Sequence, residues 1–134
     1  MRAFAALLIC AFTTVPTLAL ADPTGSYNVS GKNADDSTYS GTVTVSRTGA
    51  TYKVVWDING KQSIGTGLGS HFKDASTFVT GPATDDDTGL SVCYINKDSF
   101  GIATYYKQND GTWAGVWTYG DSQAVTTETW RPEK

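Results

Sequence analysis

The sequence predicts an all-β domain: an eight-stranded antiparallel up-and-down barrel built from two duplicated four-stranded meanders. Three observations carry this reading. Beyond residue 21, no stretch sets apolar residues three and four apart, the spacing by which a helix buries one face. Apolar and polar residues alternate instead. "TYSGTVTVS" (residues 38–46) sets Tyr39, Val43 and Val45 against Ser40, Thr42 and Thr44, the two-residue period of a half-buried strand. Finally, "GATYKVVW" (49–56) recurs as "DGTWAGVW" (110–117), with Tyr52 over Trp113 and Trp56 over Trp117 at an offset of 61 residues. A repeat of that length indicates a duplicated supersecondary unit.

The elements follow in order. Residues 1–21 read as a signal peptide: Arg2, an apolar run from Ala3 to Leu20, and small residues at Ala19 and Ala21 before Asp22. The competing reading is an uncleaved anchor, since such a run can just span a bilayer; Thr13, Thr14, Pro16 and Thr17 argue against it. Ile9 before Cys10 does not suit a lipid-attachment site. Residues 22–134 then form one periplasmic or secreted domain with one core and no membrane insertion after cleavage.

The first meander takes strands at 26–30, 38–47, 51–59 and 62–69, and the second at 90–96, 100–108, 112–119 and 123–131. Thr48-Gly49, Asn59-Gly60, Asn109-Asp110-Gly111 and Gly120-Asp121 supply turn residues between them. The halves, about 24–70 and 88–134, flank a connecting loop at 71–87. Phe72, Phe78 and Val79 in that loop either cover one barrel end or add a ninth strand at 77–80. Its Asp85-Asp86-Asp87 run lacks the ligand spacing of a calcium loop and reads as a solvated turn. Joining the first strand to the last protects both sheet edges. Gly65, Gly67 and Gly69 favour this closure over the alternative, a two-sheet β-sandwich, because glycine permits a sharp bend or close backbone approach.

Composition narrows the function classes. Without Arg2 the chain carries nine Lys and Arg against thirteen Asp and Glu, a net charge of −4, which makes nucleic acid and anionic membrane poor partners. Cys93 in "LSVCYI" is then the only thiol, and it reads as a small core residue. His71 is the only histidine and sits in the long loop, so neither a catalytic triad nor a metal site is expected. Phosphate loops and dinucleotide fingerprints are absent, and no cofactor is expected. Asn28-Val29-Ser30 fits the glycosylation pattern, which matters only in a eukaryotic secretory pathway.

Only Asp57 and Glu128 are carboxylates within predicted strands. Alternation with Trp130 points Glu128 inward; the duplication sets it over Gly67, across the strand from Ile64 and Leu68, which points it outward. The facing stays open: Glu128 is either outward and ordinary, or inward with an Arg, a Tyr hydroxyl or a ligand as partner, because a buried unpaired carboxylate is costly.

The pattern G-x-Y-x-V-x-G (Gly25, Tyr27, Val29, Gly31), Y-x-G-x-V-x-V (Tyr39, Gly41, Val43, Val45), G-x-x-Y-x-V-x-W (Gly49, Tyr52, Val54, Trp56) and G-x-G (Gly65, Gly67), with "DGTWAGVW" and "TETW" later, resembles small exported proteins of alphaproteobacteria commonly labelled fibronectin-binding. The resemblance covers nearly all of the mature chain, except residues 71–87, which are longer than expected. It implies export and a non-enzymatic role in adhesion to host matrix.

The first expected function is therefore an exported binding or adhesion module for a macromolecule such as fibronectin, using exposed Phe72 and Tyr105. The alternative is a carrier of a small apolar ligand inside the barrel, lined by Trp56, Tyr106, Trp113 and Trp117, with Glu128 as the polar group. A carboxylate-based hydrolase using Glu128 is the third.

Overall fold

A computed structural model describes residues 21–134; apart from Ala21, the signal peptide reading lies outside the described residues. The alternating segments become strands β1 (Gly25–Lys32), β2 (Thr38–Thr48), β3 (Thr51–Ile58), β4 (Lys61–Phe72), β5 (Phe78–Gly81), β6 (Gly89–Asn96), β7 (Ser99–Lys107), β8 (Trp113–Tyr119) and β9 (Thr126–Pro132). All neighbours are antiparallel, in the order β3-β2-β1-β9-β8-β7-β6-β4-β5, and a β3–β4 pairing closes the ring. The result is an eight-stranded up-and-down barrel with β5 as one extra strand. β5 is the ninth strand that the linker residues allowed. Gly69 and Ser70 of β4 pair with both β5 and β6, so β5 takes over the side of β4 that β3 leaves beyond Gly67.

Turn chemistry explains the joints. Asn59 and Gly60 both take positive φ, 55° and 75°, the conformation of a two-residue hairpin whose twist matches its strands. A further tight turn between β6 and β7, with Lys97 at φ 43°, has no glycine to announce it.

The core repeats the duplication. Tyr52 and Trp113 both point inward and are fully buried. β2–β3 pairs Val43 with Trp56, and β7–β8 pairs Ala103 with Trp117, so the two hairpins have the same register. The last strands shift by two residues: Val54 pairs with Gly65, whereas Gly115, its equivalent, pairs with Glu128. Gly65 and not Gly67 is therefore the structural counterpart of Glu128. Trp130 is completely buried at the centre, with ring centroids 3.9 Å from Tyr105, 5.8 Å from Tyr27 and 6.0 Å from Trp56.

Cys93 corrects one expectation. It is exposed, because Val92 and Tyr94 on either side take the inward positions and the two-residue period turns Cys93 out.

The base of the barrel is closed by the linker. Asp87, read from sequence as part of a solvated turn, is completely buried. Its carboxylate accepts hydrogen bonds from the Tyr52 hydroxyl (2.7 Å), the Thr84 amide (2.7 Å) and the Thr84 hydroxyl (3.1 Å), and pairs with His71 Nδ1 at 3.0 Å. A β-carbon on Gly69 would lie 1.9 Å from Asp87 Oδ2, so the missing side chain there makes room for this carboxylate. Burial alone would raise the Asp87 carboxyl pKa, but the Thr84 amide, the Tyr52 hydroxyl, His71 and the Thr84 hydroxyl together hold it below the usual carboxylate range.

A group with a lowered folded-state pKa stabilises the fold above its unfolded pKa, about 3.9 for Asp, and loses that contribution as pH falls through the folded value. Asp87→Asn should therefore lower stability at pH 7 by about 1–3 kcal/mol. The deficit should begin to shrink as the pH falls below about 4, the unfolded value. Urea midpoints of both proteins at the two pH values, at unchanged m, check this.

Candidate functional site

The other end of the barrel is open. The β1–β2, β3–β4, β6–β7 and β8–β9 connections surround a cavity of about 370 Å³. Its wall is a chain of aromatic rings in edge or tilted contact. Tyr39 meets Trp117 at 6.2 Å, Trp117 meets Tyr119 at 5.1 Å, Tyr119 meets Tyr94 at 5.9 Å and Tyr94 meets Trp56 at 5.6 Å. Alternation puts these side chains on the inner face of their strands, and the ends of β2, β8, β6 and β3 bring them to one level.

Glu128 closes this ring. Its Oε1 accepts hydrogen bonds from Tyr105 Oη (2.7 Å), Trp56 Nε1 (2.9 Å) and Trp130 Nε1 (2.5 Å). Its Oε2 accepts from the Tyr39 hydroxyl. Tyr39 and Trp56, the two ends of the aromatic chain, thus meet on one carboxylate. Indole N–H groups only donate, so the arrangement suits an acceptor. All four partners are neutral.

Of the two facings left open for Glu128, the inward one with tyrosine hydroxyl partners is found: its side chain is 5 % exposed. The outward alternative rested on the assumed core side of β4. Ile64 and Leu68 face solvent, 47 % and 46 % exposed, while Gly65, Gly67 and Gly69 face inward. A β-carbon at Gly65 would be 2.4 Å from Val92 Cγ1 and 3.2 Å from the Trp56 ring, so side chains from neighbouring strands occupy that interior space. Two glycines serve the tyrosines of the site in the same way. Added β-carbons at Gly31 and Gly115 would each collide with a ring, those of Tyr39 and Tyr105 respectively.

Other sequence expectations divide. Trp56 and Trp117 line the cavity with Glu128. Trp113 is buried but does not line it; it pairs with Trp130 where β8 starts, away from the mouth. Tyr105 and Tyr106 exchange roles. Tyr105, expected at the surface, is 1 % exposed, and Tyr106, expected to line the interior, is 48 % exposed. A one-residue error in a strand inverts every face: the common register of the two hairpins sets Ala103 at the place of Val43, and so Tyr105 at the place of inward Val45. Phe72 is exposed as expected. Tyr94, Tyr119 and the rim residues Asn33, Asn59, Lys61 and Asn96 were missed, because only the closed barrel collects strand ends.

Asp57 is outside the cavity lining and holds the Gly60 amide at 3.0 Å; among the described residues Glu128 is the only carboxylate lining the cavity, so they do not form the two-carboxylate geometry of glycoside hydrolysis there. Among the described residues, no group of three or more potential metal ligands is assembled. One feature of the wall is unsatisfied: Trp117 Nε1 is buried without a hydrogen-bond partner.

Burial first, and then the Glu128 charge, push the Tyr39 and Tyr105 hydroxyls far above the ordinary phenol range; burial also raises Tyr94. Tyr27 is pushed up to about 12, chiefly by burial. A raised folded pKa stabilises the fold below the unfolded pKa, about 10 for Tyr, and that contribution is lost as pH rises further. These phenols should therefore ionise only as the barrel unfolds in alkali, seen as a cooperative rise in tyrosinate absorbance that coincides with loss of near-UV circular dichroism. Glu128→Gln turns an amide donor toward donors and should cost about 2–4 kcal/mol, read from the urea midpoint.

In comparisons with known proteins, no family model, curated protein or solved structure matches this chain.

Proposed function

We propose that this protein binds a small organic cation, of the ammonium class, in the mouth of the barrel. The observation that carries this reading is the ring of five aromatic side chains closed by a carboxylate whose hydrogen-bond partners are all neutral. Aromatic faces attract a cation through their quadrupole, most strongly where water is excluded. The charge of Glu128 adds to this, and it disfavours an anion at the same depth. The cavity volume suits a compact ligand. Its rim, with Lys61 and the amides of Asn33, Asn59 and Asn96, accepts a polar or anionic far end, so a zwitterion fits as well as a simple ammonium. The interior is thus more polar than a carrier of purely apolar ligands needs.

Tryptophan fluorescence titrated with tetramethylammonium, glycine betaine, tert-butanol and pivalate tests the reading. The ammonium compounds should quench or shift the emission and bind at least about tenfold more tightly than the neutral isostere. Trp117→Ala and Glu128→Gln should each lose most of that affinity. Preference for tert-butanol would return the apolar-carrier reading. No response to any of the four would remove the cavity as a binding site.

A second reading, the exported adhesion module, is supported by a different feature. Phe72 and Phe78 meet edge to face across β4 and β5 at 4.8 Å, and Phe78 reaches Tyr106 at 6.2 Å, leaving an exposed aromatic cluster beside the base. Phe72→Ser should then abolish capture of fibronectin on an immobilised surface. Equal, salt-sensitive capture of fibronectin and an unrelated acidic glycoprotein would count against specific adhesion.

A further inference from the structure

The outside of the barrel is not uniform. The outward positions of β4, β6, β7 and β8 carry Ile64, Thr66, Leu68, Ser91, Cys93, Ile95, Phe100, Ile102, Thr104, Tyr106, Ala114, Val116 and Thr118, with no charge among them. The register joins these into one face: Ile64 beside Ile95 beside Phe100, and Cys93 beside Ile102. Ile95, Phe100 and Ile102 are each 60–61 % exposed.

The duplication supplies an internal control. At the equivalent outward positions of the first half, Phe100 is matched by Ser40, Ile102 by Thr42, Tyr106 by Ser46, Ala114 by Lys53 and Thr118 by Asp57. The same backbone therefore folds with polar residues at these places. The apolar side chains of the second half serve something outside the chain's own core.

We infer that this face is where a second copy of the chain packs, centred on β6 and β7. Two arguments select that occupant. The exposed apolar side chains of the face leave on the order of 800 Å² in water, about what each partner contributes to a standard stable interface. The face is also neutral, so apposing it to its own copy about a two-fold axis buries no unpaired charge and sets no like charges together. Sheets pack face to face through such β-branched and aromatic surfaces.

The test is the solution mass of the mature chain at micromolar concentration, by light scattering on a sizing column. The expected result is a dimer or a higher even multiple. Ile102→Glu, an outward substitution that leaves the core untouched, should reduce it to the single-chain mass with the near-UV spectrum retained. Thr42→Glu, its counterpart in the first half, should leave the mass unchanged. Cys93 should react slowly with a maleimide in the native protein and rapidly in I102E. A monomeric native protein overturns the inference. So does an oligomer that survives both Ile102→Glu and Phe100→Glu. A monomer that instead floats with phosphatidylcholine vesicles, or is captured by fibronectin through Ile102, would assign the face to that other partner. Ammonium binding in the cavity is read separately and does not decide this result.

Discussion

A carboxylate placed inside an aromatic core organises this barrel. Glu128 collects donors from β2, β3, β7 and β9, through Tyr39, Trp56, Tyr105 and Trp130. Those four strands are spread around the closed sheet, so one side chain ties together its opposite walls. A buried ionisable group is tolerated only when its hydrogen-bonding capacity is met, and each of these donors must be held in place by packing. Trp130 is fixed among Tyr27, Trp56 and Tyr105, and Tyr39 and Tyr105 occupy space left by Gly31 and Gly115. The cavity is the open side of the same arrangement.

The two ends of the barrel solve related problems differently. At the base, Asp87 is enclosed by Tyr52, Thr84 and His71, and the linker that carries it becomes a plug. At the mouth, no segment among the described residues seals the cavity beside Glu128, and the aromatic rings border it. A polar network sealed from every side holds a loop down; a network with one open side borders a cavity. Duplication gave both ends similar strands, and the difference comes from the connections: a long linker at the base and short hairpins at the mouth.

The halves diverged on their outer surfaces as well. β2 and β3 turn Ser40, Thr42, Ser46, Lys53 and Asp57 outward where β7 and β8 turn Phe100, Ile102, Tyr106, Ala114 and Thr118 outward, while Val55 and Val116 are alike. The inner faces kept their common pattern because closure of one barrel constrains both halves alike. The outer faces were free of that constraint.

Alternation, turn residues and the 61-residue repeat determined the strands, their antiparallel order and the closure, because these depend on local periodicity and on protecting sheet edges. They also named Trp56, Trp117 and Glu128. Tertiary structure decided which face of each strand is inside. On β4 the glycines and not the isoleucine and leucine face the core, since Val92 and Trp56 from neighbouring strands already fill that space. Tyr105 and Tyr106 were exchanged for the same reason: in a strand where both faces carry large apolar residues, alternation identifies two sets without saying which is buried. The facing of Glu128 was open in the same way, for its four donors lie from two to 89 residues away in sequence, and only the closed ring of strands brings them to one point.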